Sequence, residues 1–378
     1  MIWRDCLVSI LLSRDSMFFI KNIGIIDRKN LSNNFDLYFF WSEEVNHYQI
    51  PKIFWLEKIS RNVFNFTQKD INLGKPFFCI VKNGYVVWKY AYIFTKKLRL
   101  IQESLIYSLH KLKITPLILY IVAILFKPFK IRKSETIISL INEKNDNIFH
   151  WITERLTLLE AAEYYKRKTW NNFKILLSQD CCKFQKDTLS RMGYSENDFI
   201  YWQSGVMQVK NILIPSVRRY SESPWVFYDS LSHNACQWLK NRMPMNTCDS
   251  SKRIYISREK SQSRRVLNEG VLLSFLEKNW FKKYILEELD ANQQIDLFNN
   301  AEYIIWPHWA WLTNMIWSKP ATKVLEIMPN NRFRKDYFLL SCALWQDYAL
   351  FIETSFNQKH DMYVDMDNFI SFFNDFTL

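Results

Sequence analysis

Glycine is scarce in this 378-residue chain, with six copies at 24, 74, 84, 193, 205 and 270, where ~7% of residues is ordinary. No G-x-G-x-x-G or Walker loop can be assembled from them. Any phosphate must be held by side chains and by a helix N-terminus built without a glycine-rich loop, which excludes P-loop NTPases and the usual Rossmann dehydrogenases. The seven cysteines are odd in number and scattered, without a C-x-x-C pair, so neither a zinc site nor a disulfide framework is signalled and a reducing compartment is expected. No internal repeat or low-complexity tract occurs. The N-terminal stretch MIWRDCLVSILLSRD places Arg4 and Asp5 before a short apolar run and has no cleavage-site pattern, so it is not read as a signal peptide. No convincing D-x-D metal site is present: Asp365 and Asp367 have the spacing, but they stand immediately before an apolar helical run, where N-capping is the preferred reading.

What is present is globular composition, 48% hydrophobic and 23% charged, in a chain long enough for two domains plus extras. The net charge of +12 is uneven. Between Lys96 and Lys133 stand Lys96, Lys97, Arg99, Lys111, Lys113, Lys127, Lys130, Arg132 and Lys133 against the single acid Glu103. Within that stretch lies ITPLILYIVAILF, Ile114 to Phe126, too short for the roughly 20 apolar residues of a spanning helix. It reads either as a buried core helix or as a segment lying on an anionic membrane surface through 96–133. One charge cluster around so apolar a run is not an aromatic-interleaved basic groove, so nucleic acid is not the expected partner.

Residues 1–110 read as a β-rich region, with strands in FDLYFFW, KPFFCIV and YVVWKYAYIF and a hairpin turn at Asn83-Gly84. After the basic apolar segment 111–139, the stretch DNIFHWITERLTLLEAAEYY, 146–165, has helical spacing with Asp146 or Asn147 as N-cap. Two alternating α/β blocks come next. The first, 140–245, contains FKILLS, KDTLSRMG, FIYWQ, ILIPS and SLSHNACQWLKNRM. The second, 246–345, runs RIYISR, NEGVLLSFLEKN, YILEEL, NQQIDLFNNA, YIIW, LTNMIW and KVLEIM. The break lies near Met243 to Ser251, and a helical segment 346–378 closes the chain. Two consecutive blocks with parallel-sheet logic place a ligand between them, outside the carboxyl ends of the strands.

RIYISREKSQSRRVLNE, then QQIDLFNNAEYIIWPHWAWLTNMIW and KVLEIM, resembles the core of glycosyltransferase family 61. That family's pattern is a strand ending Ser-Arg, then Arg-x-x-Asn-Glu, a Gln-rich helix, Pro-His-Gly-Ala-Gly-Leu-Thr-Asn and a strand ending in Glu. NDNIFHWITERL resembles its upstream Asn-x-x-His-Trp-x-x-Asp/Glu helix, and MYVDMDNFISFF its closing Val-Asp-x-Asp helix start. The resemblance implies a GT-B fold, two facing Rossmann-like domains with the nucleotide sugar on the C-terminal one and the acceptor on the N-terminal one. It implies an inverting transferase of the capsular or surface-polysaccharide type. The substrate would be a UDP-sugar with no further cofactor and no metal, the acceptor a saccharide or lipid-linked saccharide, and the place the cytoplasm or the inner face of a membrane.

On this resemblance Glu154 is the candidate base and His150, four residues earlier on the same helix face, serves the acceptor or positions Glu154. Their plainer readings are a solvated helix carboxylate and a packed histidine. Arg258, at the carboxyl end of its strand, suits bidentate phosphate contact, and Arg265 or Arg264 assists. Asn268 and Glu269 read equally well as helix caps. His308, Trp309, Thr313, Asn314 and Glu326 complete the expected donor site. Trp309 and Trp311 stand where the family pattern has glycine, a residue that lets backbone amides approach a diphosphate. The tryptophans either point away, or line the donor pocket and stack on a base or sugar, or close the site. The last outcome would leave a non-catalytic protein of the same fold.

Overall fold

The computed structural model describes residues 25–26, 30–42, 44–46, 52–54, 71–101, 104, 131–141, 147–220, 230–246, 250–332, 334–353 and 356–377. The apolar run Ile114 to Phe126 and most of the basic segment around it lie outside the described residues, and so does Asp146.

Two sheets organise the chain. The first is nine-stranded and mixed. Its strands are β1 (Ile25–Ile26), β2 (Tyr38–Phe39), β6 (Phe77–Val87), β7 (Tyr92–Phe94), β8 (Leu100–Ile101), β9 (Ile131–Ser139), β10 (Lys174–Ser178), β11 (Phe199–Trp202) and β12 (Val206–Pro215), in the order β1-β8-β7-β6-β12-β9-β10-β11 with β2 on β6. The short strands β3 (Glu44–Asn46) and β5 (Ile71–Gly74) pair separately, and β4 (Lys52–Phe54) belongs to the second sheet. In the first sheet β9, β10, β11 and β12 are joined in parallel, but β12 meets β6 antiparallel. The first α/β block is therefore not a purely parallel unit, and strands of the β-rich N-terminal region extend its sheet.

The second sheet carries β15 (Arg253–Ile256), β16 (Lys282–Tyr284), β17 (Tyr303–Pro307), β18 (Lys323–Pro329) and β19 (Asp347–Glu353), ordered β16-β15-β17-β18-β19-β4 and parallel throughout. Between the sheets in sequence, β13 (Arg219–Tyr220) pairs with β14 (Ser230–Leu231). The near-continuous apolar runs YIIWP and KVLEIMP are what a sheet covered on both faces requires; Ile304, Ile305, Trp306, Val324, Leu325 and Ile327 are all at most 1% exposed. Helices α1 (Leu159–Thr169), α2 (Lys183–Arg191), α3 (His233–Arg242), α4 (Glu269–Lys278), α5 (Ala291–Asn300), α6 (Asp336–Leu344) and α7 (Met366–Thr377) cover the sheets. One apolar cluster includes Ile138 and Ile175 of the first sheet together with Ile254, Ile304 and Trp306 of the second. Asp365 caps α7 as expected, its carboxylate accepting from the Asn368 N–H at 3.2 Å.

Local chemistry alters several expected elements. Asn83-Gly84 is not a turn: β6 runs straight through it, and the hairpin turns at 88–91. A Cβ at Gly84 would lie 2.8 Å from Val81 Cγ1 and 2.9 Å from the Phe94 carbonyl oxygen, so glycine is needed there for close approach of the neighbouring strand, while Asn83 takes the positive φ of 53° itself. Of FDLYFFW only Tyr38–Phe39 is strand. YILEEL is the end of β16 followed by a 3-10 turn, Leu286–Glu288, whose Leu286 carbonyl accepts from Gln294 Nε2 at 3.0 Å. The expected helix 146–165 begins at Ile148, capped by Asn147, and runs on to Thr169, but its second turn, Trp151–Arg155, is π-helical. Such turns concentrate at functional sites. LTNMIW lies in a 3-10 helix, Ala310–Trp317.

Candidate functional site

Adjacent parallel strands β15 and β17 pair Arg253 with Tyr303, and extending that register sets Arg258 level with His308, both just past the carboxyl ends of their strands. Arg258 is 2% exposed. Its Nε donates to the Arg264 carbonyl at 3.1 Å and its Nη2 to the Ser263 carbonyl at 2.7 Å. Nη1 is buried and has no hydrogen-bond partner among the described residues. Burial, aided by repulsion from Arg264, lowers its pKa to about 9. The face of the guanidinium is covered by Trp309, whose ring centre lies 4.2 Å from the guanidinium carbon, a cation–π contact. A buried guanidinium bonded to neutral carbonyls and an indole has the chemistry to pair with an anion through Nη1.

The two tryptophans sit without backbone strain. Trp309 has φ −165° and ψ 161°, an extended conformation open to any residue, and neither it nor Trp311 takes a positive φ. Trp311 turns toward the first α/β block, its ring 5.3 Å from Phe184 of α2 and 6.0 Å from Trp309.

His308 turns inward, its Nδ1 paired with Glu326, whose other carboxylate oxygen accepts from the Tyr348 hydroxyl. Glu326 is wholly buried, so both its oxygens serve His308 and Tyr348. Asn314 is also wholly buried, donating to Gln294 Oε1 at 2.9 Å and accepting from Trp317 Nε1 at 3.1 Å. Thr313 donates to the Ala310 carbonyl at 2.6 Å. These three side chains brace the turn from inside. Arg265 leans on Asp361, Nη2 to Oδ2 at 2.8 Å, and Asn268 ties down Val364 through two hydrogen bonds, 2.8 and 2.9 Å. Glu269 accepts from Tyr255 at 2.7 Å and from Ser257 at 2.8 Å.

His150 and Glu154 form the second part of the site. The helix they share starts beyond the carboxyl end of β9, and the π-helical turn begins at the next residue, Trp151. His150 Nδ1 lies 2.7 Å from Glu154 Oε1, which also accepts from Arg219 Nη1 at 3.0 Å. Burial alone would push the Glu154 carboxyl up, but Arg219, His150 and Arg155 outweigh it and hold it below the usual carboxylate range. A carboxylate so stabilised is a poor proton acceptor. In the tautomer that donates Nδ1–H to Glu154, Nε2 is the basic atom of the pair.

Tyr337, at the start of α6, joins the two parts: its ring is 5.6 Å from His308 and 6.0 Å from Phe149, the neighbour of His150. Sequence reasoning passed over Tyr337, Tyr348 and Arg219. A tyrosine within DYFLLSCAL or an arginine within VRRY carries no spacing signal; only the assembled fold shows their partners. Arg219 also lines a small cleft with Gly74, Ser216, Arg218 and Ser232. Among the described residues no cluster of His, Cys, Asp and Glu could hold a metal ion, and no helix is long and apolar enough to cross a membrane.

No curated protein matches the chain. Residues 148–325 match the family model described as Glycosyltransferase 61, a span that takes in His150, Glu154, Arg258, Arg265 and the turn 308–314 and stops one residue short of Glu326. Over residues 148–325, somewhat under half of its length, this chain is similar to glycosyltransferase family 61.

Proposed function

We propose that the protein is an inverting glycosyltransferase that moves a sugar from a UDP-sugar to a saccharide acceptor in surface polysaccharide biosynthesis, with its two α/β parts in the facing GT-B arrangement. The observation that carries this reading is Arg258, buried beyond the carboxyl end of a parallel strand with Nη1 unpartnered among the described residues, where a ligand of an open α/β sheet is expected. In the reaction, His150 Nε2 takes the acceptor hydroxyl proton while Glu154 holds the imidazole tautomer and offsets its charge. The acceptor oxygen attacks the anomeric carbon on the face opposite the diphosphate, and the bond from that carbon to the diphosphate oxygen breaks. The electron pair leaves with the diphosphate, whose charge Arg258 receives. His308, Glu326 and Tyr348 fix the strand end from which Trp309 and the following helix project.

The acceptor is proposed to be lipid-linked, with the enzyme peripheral on the cytoplasmic face of a membrane through 96–133. Co-flotation with anionic liposomes, lost on deletion of 111–133, tests that part.

A second reading is a non-catalytic glycosyltransferase-fold protein acting as scaffold or carbohydrate-binding partner. It is favoured by the Trp309 ring on Arg258, which occupies the face a diphosphate would approach. Turnover of UDP-sugars, screened by release of UDP with and without saccharide acceptors, separates the two. Release that depends on Arg258 supports the enzyme, and none from any donor supports the scaffold.

A further inference from the structure

Four of the described helices end on a left-handed residue. Helix α2 closes on Gly193, φ +87°. Its N–H bonds the Ser190 carbonyl at 2.9 Å, and the next N–H, of Tyr194, reaches back to Leu189 at 3.1 Å. This is the Schellman ending, whose left-handed position belongs to glycine. Helix α4 ends in the same pair of bonds, Trp280 to Glu277 at 3.0 Å and Phe281 to Leu276 at 3.0 Å, and α6 does so with Trp345 to Cys342 at 3.3 Å and Gln346 to Ser341 at 3.0 Å. Helix α1 ends on Trp170, whose N–H bonds Lys166 at 2.9 Å. Trp280, Trp345 and Trp170 have φ of 66°, 55° and 59°. Bulky residues rarely adopt this region, and asparagine, aspartate and histidine lead among non-glycine residues that do. Here four of the ten described non-glycine residues with positive φ are tryptophan. The fourth, Trp88, lies in the β6–β7 hairpin rather than at a helix end, and it is buried against Tyr90 and Tyr92.

Trp170, Trp280 and Trp345 are 89%, 83% and 65% exposed. Three of the buried tryptophans behave otherwise. Trp151 donates to Thr188 at 3.0 Å, Trp202 to the Trp88 carbonyl at 2.7 Å and Trp317 to Asn314 at 3.1 Å, as indoles chosen for their chemistry do. The chain has 15 tryptophans and six glycines, where about 26 glycines would be ordinary at this length.

We propose that the protein made in its own cell carries glycine at 170, 280 and 345, and also at 309 and 311, inserted at UGA codons that this cell reads as glycine. The buried tryptophans are then UGG codons and remain tryptophan. For 309 and 311 the inference rests on the family 61 reading of the turn; for the other three it rests on helix-end geometry alone. Its consequence for the site is direct: glycine at 309 removes the ring that lies 4.2 Å from the Arg258 guanidinium and uncovers that cation for a diphosphate.

The test is tandem mass spectrometry of the protein purified from its native source, which reads sequence and not activity. The expected result is the mass loss that follows replacement of the indolylmethyl side chain by hydrogen at each of 170, 280, 309, 311 and 345, with tryptophan kept at 151, 306 and 317. Tryptophan at 170, 280 and 345 overturns the proposal. Glycine at those three with tryptophan at 309 and 311 overturns its donor-site part and leaves the helix-end part standing.

Discussion

The Arg258 guanidinium carbon lies 4.2 Å from the centre of the Trp309 ring, in a site where its other described contacts are backbone carbonyls. On the proposed reading this cation pairs with the diphosphate of the donor. Arg258→Ala is expected to weaken nucleoside diphosphate affinity by about 10–100-fold, the scale of one charge-assisted contact. Arg258→Lys should restore part of it, because a point charge lacks the planar fork. Calorimetric titration of the three proteins checks this.

His150→Ala is expected to lower kcat by about 10²–10⁴-fold, the range for a positioned acid–base group, with donor affinity unchanged. Glu154→Gln should also reduce kcat while leaving UDP affinity alone, since it acts through His150. Steady-state kinetics beside UDP titration separate these from a general loss of structure; a Glu154→Gln enzyme at full kcat would remove the carboxylate from the mechanism.

Asp361 accepts from the Arg265 N–H at 2.9 Å and from its Nη2 at 2.8 Å. Burial pushes the carboxyl up, but these bonds and Asn357 prevail and hold it from its ordinary 3.8 down to about 2. A folded pKa below the unfolded one stabilises above about pH 4, and that contribution is lost as pH falls toward about 2. Thermal unfolding midpoints of Asp361→Asn, measured from pH 6 to 2, are expected to lie below the parent at pH 6 and to converge on it in acid.

Glu326 is buried between His308 and Tyr348. Glu326→Ala strands both partners and is expected to destabilise the fold by about 3–5 kcal/mol, the usual result of breaking a buried pair. Chemical denaturation measures it. A near-neutral variant would mean that these buried pairings contribute little net stability.

Much of the second sheet was legible in the sequence, because RIYI, YIIWP and KVLEIMP are buried parallel strands that announce themselves by continuous apolar runs. The first sheet was less so. Its junction of β12 with β6 joins residues more than a hundred positions apart, and no local pattern encodes such pairing. Asn83-Gly84 misled because a strong turn dipeptide can also serve as a close-approach point inside a strand. For the site, motif order brought forward His150, Glu154, Arg258 and His308, but the roles of Glu154 and Glu326 depend on Arg219 and Tyr348, which stand 65 and 22 residues away in the chain. The exposed tryptophans became meaningful only once their φ angles and helix-end hydrogen bonds could be set beside those of Gly193.

Whether Arg258 receives the diphosphate of a sugar donor is decided by calorimetric titration with UDP of the parent protein, of Trp309→Gly/Trp311→Gly and of that double variant carrying Arg258→Ala. Micromolar binding is expected of the double-glycine protein, at least as tight as the parent's, with a loss of about 10–100-fold when Arg258 is removed. Absence of binding in all three, or binding indifferent to Arg258, would refute that role.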